Sequence, residues 1–294
     1  MFGRFGRDAG SLAGVQITQD SVRMLRLGGA RGRRKVAGWA HRAVPPAGHP
    51  DQAGEGLVQV LREAHRQCGG RSTRVALALP GSQVICKVVQ LPAELSPVER
   101  ESQLLADAEH LFPFPLDDLA MDFQVLGATV HAPSTVDVLI GAVRQSLLEP
   151  LLLPLEEAGL DVVAVEVDSL ALARLQPSGP RLPVLQLESH GMILHQWDAG
   201  PLALRTEQRV EARSDLAVPP EQVQRFLARS PMAQESQALG VAGAAATEAQ
   251  LQALAQQLGR ACRPLCGPSQ WPGLPASAWG ALALPLALAL GGDS

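Results

Sequence analysis

The sequence contains no tyrosine and few aromatic residues of any kind, with only four tryptophans and six phenylalanines among 294 residues. Proteins that bind single-stranded nucleic acid stack the bases on aromatic side chains inside a basic groove. The formal net charge here is -4, so the basic surface that neutralises phosphates is lacking as well. These two shortages exclude the usual kinds of nucleic-acid-binding protein.

Cysteines and long apolar runs are also scarce. Of the four cysteines, Cys262 and Cys266 are closely spaced, but no histidine or second cysteine pair accompanies them, so no metal site is predicted. Met1–Gly10 is charged and lacks the apolar segment of a secretory signal, so we expect a cytosolic protein with reduced thiols. The run 279–290 is interrupted by Pro285 and is shorter than the roughly 20 residues of a membrane span. It predicts a buried helix rather than a transmembrane segment.

What the sequence does contain is two similar series of elements. Strands are predicted from short apolar runs at 15–17, 22–27, 36–44, 75–79, 84–91, 121–126, 135–143, 162–167, 184–187, 192–196, 202–204 and 238–241. Helices are predicted between them, one of them a short helix capped by Asp168 or Ser169. The stretch 176–183, with three prolines and a glycine, predicts a hinge. A three-strand meander on each side of this hinge indicates a duplicated α/β protein with two lobes.

A well-defined helix start lies in the first half of the chain. Ser96 can cap the helix, Pro97 suits its first turn, and Glu99 completes a capping box. The helix is predicted to end at the turn Phe112-Pro113-Phe114-Pro115.

Several separated stretches carry the features of a known family. In order they are Leu91-Pro92-Ala93-Glu94-Leu95-Ser96, Phe112-Pro113-Phe114-Pro115-Leu116, Asp122-Phe123-Gln124-Val125-Leu126-Gly127, Val138–Ala142, Glu157–Leu160 and Val167–Arg174. An L-P-x-x-L-S opening, an acidic helix, an aromatic-Pro-aromatic-Pro turn and a D-[FY]-x-V-L strand together resemble the PilM family of type IV pilus assembly proteins. The resemblance covers residues 77–174 well and the rest of the chain weakly.

This resemblance implies a fold and a division of the chain. The implied fold is α/β, a duplicated actin-like (ribonuclease H-like) two-lobed fold with a subdomain inserted in the first lobe. Residues 1–176 would form the first lobe, including the inserted subdomain at about 91–163. Residues 184–294 would form a reduced second lobe, since the stretch between Thr206 and Glu235 is short for the family's second-lobe insertion.

The resemblance also implies a function without catalysis. The implied protein is a cytoplasmic scaffold, peripheral to the inner membrane, that binds the cytoplasmic tail of a PilN-like membrane protein and other proteins of the pilus assembly platform. Two alternatives remain open: an actin-like switch whose lobes close on ATP, and the cytoplasmic actin-like domain of a GspL-like component of type II secretion. Whether the protein forms a homo-oligomer is left open too.

The loops that hold nucleotide in actin-like ATPases are altered in this chain. Those enzymes use two hairpins that begin with Asp-x-Gly, because the carboxylate organises Mg²⁺ and the glycine lets backbone N–H groups approach phosphate. Here the hairpins read Gln16-Ile17-Thr18-Gln19-Asp20-Ser21 and Gln186-Leu187-Glu188-Ser189-His190-Gly191. A neutral amide cannot offset the charge of magnesium and triphosphate as a carboxylate does. No catalytic residue and no cofactor is therefore predicted, with ATP and magnesium as the alternative.

The vestigial nucleotide site has a predicted set of residues. They are Gln16, Thr18, Ser21, Gln186, Glu188, Gly240 and Gly243. The third loop, Gly240–Ala246, keeps two glycines and could admit an adenine or ribose, although such loops are also common packing at a strand-to-helix turn. Asp20 and Glu188 are the only acids near the hairpins, and we interpret both as solvated turn residues rather than displaced metal ligands.

A second predicted site is a surface for the PilN-like tail on the first lobe. Its candidate residues are Val88, Leu91, Phe112, Phe114 and Leu116. Phe112 and Phe114 flank a proline and cannot both be covered easily by their own short turn, so at least one should line an available surface. The alternative is that both rings pack inward as a staple for the helix that begins after Ser96.

Overall fold

The computed structural model describes residues 12–30, 33–45, 53–69, 72–177, 179–198, 200–210 and 218–291. By their contacts these residues divide into two compact units. One covers 80–153, and the other covers the described residues before 80 and after 153. The boundary after residue 79 follows the end of a strand, and the boundary after residue 153 falls inside a helix. The predicted lobe bounds, 1–176 and 184–294 with an insertion at about 91–163, remain a prediction.

The larger unit contains two five-stranded sheets. Strands of the first sheet are β1 (Ala13–Ile17), β2 (Ser21–Gly28), β3 (Lys35–Ala43), β4 (Arg74–Leu79) and β8 (Asp161–Val167). Strands of the second sheet are β9 (Val184–Glu188), β10 (Gly191–Trp197), β11 (Ala203–Arg209), β12 (Ala238–Ala242) and β13 (Ala261–Pro264). Their orders are β3-β2-β1-β4-β8 and β11-β10-β9-β12-β13. Each is an antiparallel meander followed by two parallel strands, so the duplication predicted from the sequence is confirmed.

The helices of the larger unit connect and cover these strands. They are α1 (Ala53–Gln67), α4 (Asp168–Ala173), α5 (Pro220–Leu227), α6 (Pro231–Glu235), α7 (Glu248–Leu258) and α8 (Trp279–Gly291). The predicted cap of α4 is wrong, because its N-cap is Val167 and no side chain caps it. The Asp168 carboxylate accepts a hydrogen bond from the Ser169 amide at 2.6 Å and lies 3.5 Å from the Arg205 guanidinium.

Helix α8 is the buried helix that the run 279–290 predicts. It contacts β1, β2 and β4 of the first sheet and β12 of the second, and one apolar core extends through both sheets. A Cβ on Gly14 would lie 1.9 Å from the carbonyl oxygen of Pro285, so glycine lets the helix approach β1 closely. Among the described residues, no helix is both long and apolar enough to span a bilayer.

The smaller unit is built on a three-stranded antiparallel sheet. Its strands are β5 (Ile85–Pro92), β6 (Leu119–Thr129) and β7 (Ala132–Arg144), in the order β5-β7-β6. Helix α2 (Pro97–Leu111) covers one face of the sheet, and α3 (Gln145–Glu157) follows β7. The capping box predicted at Ser96 is confirmed, because its hydroxyl accepts from the Glu99 amide and the Glu99 carboxylate accepts from the Ser96 amide.

Candidate functional site

The β1–β2 and β9–β10 hairpins occupy equivalent places in the two sheets. In the first hairpin, antiparallel pairing sets Gln16 opposite Arg23, and the Thr18 amide closes the turn on the Ser21 carbonyl at 2.8 Å. In the second, pairing of Gly191 with Glu188 leaves the turn at 189–190. The residues that follow β1 and β9 therefore correspond, as expected from the duplication.

An ion pair joins the two hairpins. The Arg23 guanidinium binds the Glu188 carboxylate with two parallel hydrogen bonds, from Nη1 to Oε1 at 2.9 Å and from Nη2 to Oε2 at 2.6 Å. Arg23 has no exposed surface, and the Glu188 side chain is 13% exposed. Burial would raise the pKa of Glu188, but the Arg23 charge outweighs it and holds the pKa below its usual value. Both groups are therefore charged at neutral pH.

Two further donors of Arg23 are satisfied within its own hairpin. Its Nε donates to the Ser21 hydroxyl at 3.2 Å, and its Nη1 donates to the Gln16 side-chain oxygen at 3.3 Å. Burial would lower the pKa of Arg23, yet the Glu188 carboxylate reverses this and raises it. A glutamine at position 16 thus accepts a hydrogen bond from an internal cation.

The Glu188 carboxylate is held from the second lobe. The side-chain amide of Gln186 donates to Oε1 of Glu188 at 2.8 Å, and the backbone amide of Ala244 donates to Oε2 of Glu188 at 3.3 Å. The Gln186 oxygen in turn lies 3.3 Å from Nε2 of the buried His195. Each carboxylate oxygen therefore has one partner on Arg23 and one in its own lobe.

A second bridge joins the two turns. Asp20 accepts hydrogen bonds from the hydroxyl groups of Thr18 at 2.7 Å and Ser21 at 3.2 Å, and from the Ser189 hydroxyl across the hairpins. Nε2 of His190 lies 3.6 Å from the same carboxylate. Burial would raise the pKa of Asp20, but these hydroxyl donors and the Arg23 charge lower it to about 2. Asp20 therefore connects the turns as an anion.

The third loop packs directly on the second hairpin. Gly243 has φ = +97°, and a Cβ there would lie 2.0 Å from the Leu187 carbonyl oxygen. That oxygen accepts from the Ala245 amide at 3.0 Å, and the Gly243 amide donates to the Gly280 carbonyl at 2.9 Å. Gly240 lies within β12 before this loop, where its amide bonds the Pro183 carbonyl at 2.9 Å.

These contacts show where the residues predicted for a nucleotide site lie and what they bind instead. The structure brings together Gln16, Thr18, Ser21, Gln186 and Glu188, with the Gly243 loop beside them, and leaves Gly240 in its strand. The interpretation of Glu188 as a solvated turn residue is wrong, because the acid is paired with a buried arginine. Magnesium needs free carboxylate oxygens, whereas those of Glu188 and Asp20 are already occupied by internal donors. The residues present do not suit magnesium triphosphate.

Sequence reasoning missed Arg23, although the sequence held a signal for it. Arg23 is flanked by Val22 and Met24 in a mainly apolar strand, and the hairpin register sets it opposite Gln16. A charged side chain inside a buried strand needs a partner of opposite charge. Glu188, at the equivalent hairpin of the second repeat, is that partner.

The predicted partner residues lie on different faces of the smaller unit. Val88 and Leu91 are three residues apart in β5, so they point to opposite faces of the sheet. Val88 is 42% exposed, whereas Leu91 and Phe112 are each 3% exposed and belong to the core beneath α2. The five residues therefore do not form one surface.

The turn after α2 presents the other two candidates. Phe114 is half-buried against the core of the smaller unit, and Leu116 is 48% exposed. Phe112 packs inward, with Nζ of Lys87 5.7 Å from its ring centroid. Of the two predicted phenylalanines, Phe112 therefore supports the turn, and Phe114 is the one whose ring reaches the surface.

Comparisons with known proteins agree with the duplicated topology. The sequence model of the family described as type IV pilus assembly protein PilM matches residues 14–192, more than half of the chain. Among solved structures, a PilM-PilN type IV pilus biogenesis complex is similar over 96% of this chain and 98% of that chain, with 19% identity and a TM-score of 0.69.

Two further solved structures are similar to this chain at lower TM-scores. The ethanolamine utilization protein EutJ from Carboxydothermus hydrogenoformans is 13% identical over 98% of this chain and 92% of that chain, with a TM-score of 0.50. The cytoplasmic domain of EpsL, an inner-membrane component of the type II secretion system of Vibrio cholerae, is 16% identical over 80% and 82%, with a TM-score of 0.47. The expected actin-like, two-lobed α/β fold is confirmed.

Proposed function

This chain belongs to the PilM family of type IV pilus assembly proteins, and we propose that it acts there as a non-enzymatic adaptor for the tail of a PilN-like membrane protein. The observation that carries the proposal is the state of the two hairpins. Their charged groups bind one another and offer no free carboxylate to a metal ion. A scaffold role needs no such ligand, whereas nucleotide hydrolysis does.

The proposed partner follows from the family and from the solved PilM-PilN complex. That complex is similar to nearly the full length of this chain. We propose that this protein lies at the cytoplasmic face of the inner membrane and reaches the membrane through its partner. A role within the platform of a type IV pilus follows from the same premise.

The smaller unit is the proposed docking region. Val88 and Leu116 are large apolar side chains that remain exposed there, and Phe114, two residues before Leu116, is half-buried. Prolines at 113 and 115 stiffen the turn that carries Phe114 and Leu116, so that little conformational entropy is lost when a peptide binds. Leu91 and Phe112 would support this surface from the core rather than contact the tail.

The charge of the smaller unit agrees with a membrane protein's tail as the partner. Residues 80–153 contain ten acidic and three basic residues. Cytoplasmic segments next to a membrane span are enriched in lysine and arginine. Opposite charge would steer such a tail toward the acidic unit, and raised salt should slow their association.

The test is a calorimetric titration of the protein with a synthetic PilN-like tail peptide. Leu116→Ala should weaken binding by about 1–2 kcal/mol, since the substitution removes an exposed apolar contact that binding would bury. Leu204→Ala is the matched control, because Leu204 is 61% exposed on β11 of the other unit. Equal affinity of the Leu116 variant and the wild type would reject this turn as the docking site, and no binding by the wild type would reject the partner.

A further inference from the structure

We propose that the Arg23–Glu188 ion pair is a built-in replacement for nucleotide and metal, a latch that holds the two lobes together without any ligand. This goes beyond the adaptor role and does not depend on which protein is bound. Arg23 belongs to the hairpin of the first lobe and Glu188 to the equivalent hairpin of the second. An interaction between them is therefore an interaction between the lobes.

The chemistry of the pair explains why it can replace a ligand. In an actin-like nucleotide site, negative phosphates and a cation lie between the hairpins and are held by both. Here a guanidinium supplies the positive charge, a carboxylate supplies the negative charge, and the two meet in a bidentate geometry. The glutamines at 16 and 186, where the Asp-x-Gly pattern has aspartates, bind the two ends of this pair.

The space between the hairpins is also taken. The Ser189 hydroxyl bonds Asp20 directly, so no phosphate can enter between the two turns while that bond exists. The loop after β12 adds a further contact, since the Ala244 amide donates to Glu188. Three segments that would surround a nucleotide are thus bonded to one another.

A buried pair of this kind depends on both partners. Removing one charge leaves the other buried without a partner, and this costs far more than replacing both by apolar groups. Arg23→Met should therefore lower the melting temperature by about 10 °C, whereas Arg23→Met combined with Glu188→Met should recover at least about half of that loss. A lower melting temperature would follow from any unpaired buried charge, whether or not the lobes separate. A second measurement therefore has to detect the separation of the lobes.

Hydrogen exchange followed by mass spectrometry gives that measurement. Arg23→Met changes the first lobe, and we expect amide exchange at 243–246 in the second lobe to become at least about tenfold faster. The double variant should keep this fast exchange at Gly243, Ala245 and Ala246 even though its stability recovers, because the pair between the lobes is still missing. These three amides bond the carbonyl groups of Gly280, Leu187 and Gly243, so they do not lose an acceptor when Glu188 is replaced. Exchange at the wild-type rate in the double variant would overturn the latch.

Arg174→Met is the matched control for these variants. Arg174 pairs with Glu166, and both residues belong to the first sheet or the segment that follows it. Its loss should leave exchange at 243–246 unchanged. The same faster exchange in this control would show a general loss of stability and would count against the latch.

ATP with Mg²⁺ provides the remaining test. Under the proposal the wild-type protein shows no saturable binding, and ATP leaves exchange at 15–23 and 243–246 unaltered. Saturable binding that slows exchange in both segments would overturn the proposal while leaving tail binding, and with it the adaptor role, intact.

Discussion

The hairpin site and the smaller unit differ in whether their side chains find partners within the protein. Between the hairpins, the buried charges of Arg23 and Glu188 are bonded to each other and to neighbours in both lobes. In the smaller unit, Val88, Val98 and Leu116 are large apolar residues left exposed. The charged groups of the hairpin site are bonded to one another, whereas the smaller unit has exposed apolar surface that a binding partner would bury.

This difference shows how one fold can change its use. An actin-like site needs open hydrogen-bond donors and free carboxylates for a ligand, and here those groups are consumed internally. Within residues 80–153, all of which the structure describes, no charged residue is buried.

The largest effect is expected at the paired phenylalanines of the smaller unit. Phe112→Ala should lower the free energy of unfolding by about 3–5 kcal/mol, because the ring lies in the core and its loss leaves a cavity. Phe114→Ala should instead weaken tail binding by about 1–3 kcal/mol and leave the folded state detectable. Denaturant unfolding and calorimetric titration measure the two quantities. Global unfolding of the Phe114 variant would favour a staple role for both rings.

A glycine pair compares the packing of the two regions. Gly243 in the third loop and Gly127 in β6 both have positive φ, +97° and +133°, but only at Gly243 would a Cβ meet other atoms. Gly127→Ala should cost about 1–2 kcal/mol from backbone strain alone. Gly243→Ala should cost about 3 kcal/mol or more, since the Cβ collides with the backbone of Leu187. Similar losses in urea unfolding would show that the third loop is less tightly packed than the structure indicates.

Much of the fold could be predicted because it depends on local patterns. The meanders follow from short apolar runs between turns, and the capping box at Ser96 is written in four consecutive residues. β13 and α6 were not predicted, since Ala-Cys-Arg-Pro contains no apolar run and Pro-Met-Ala-Gln-Glu is too short to show a helical repeat. The N-cap assigned to Asp168 failed for a different reason: its carboxylate faces Arg205 of the other lobe, a partner 37 positions away.

The candidate sites were predicted less completely because they depend on distant residues. The loss of the aspartates at positions 16 and 186 was readable, but the ion pair that replaces them joins residues 165 positions apart. In the smaller unit, the alternation of β5 was enough to separate Val88 from Leu91. Their burial was not readable, because it depends on α2 covering one face of the sheet.

A third prediction concerns His195, which lies beneath the hairpin site. Burial lowers its pKa to about 4, with Asp168 opposing this and Arg205 adding to it, against 6.5 for an ordinary histidine. Between these values the unfolded chain binds a proton that the folded chain does not, so stability falls as the pH falls. From pH 6.5 to pH 5, His195 should account for a loss of about 2 kcal/mol.

His195→Gln isolates this effect. The variant should show a flatter decline of unfolding free energy between pH 6.5 and 5, measured by urea denaturation at each pH. Asp20 has its pKa lowered to about 2, so its own contribution is lost only under more acidic conditions and does not overlap. An unchanged slope in the variant would mean that His195 is protonated in the folded protein, which its contact with Gln186 and its burial argue against.

The smallest expected effect is that of ATP on the wild-type protein. ATP with Mg²⁺ should raise the melting temperature by less than about a degree, because a ligand stabilises only in proportion to its affinity for the native state.

Gln16→Asp, Thr18→Gly and Gln186→Asp together restore the Asp-x-Gly residues of the first hairpin and the aspartate of the second. We expect this triple variant to bind ATP no better than the wild type, since the new carboxylate at position 16 would pair with Arg23, which already contacts the side chain there. Adding Arg23→Ala removes the internal cation and should produce a measurable thermal shift. A rise in melting temperature of several degrees when ATP is added to the wild-type protein would show that the hairpins open readily for nucleotide. The hairpin site would then bind a ligand, as the smaller unit is proposed to do, and the two regions would no longer differ in this respect.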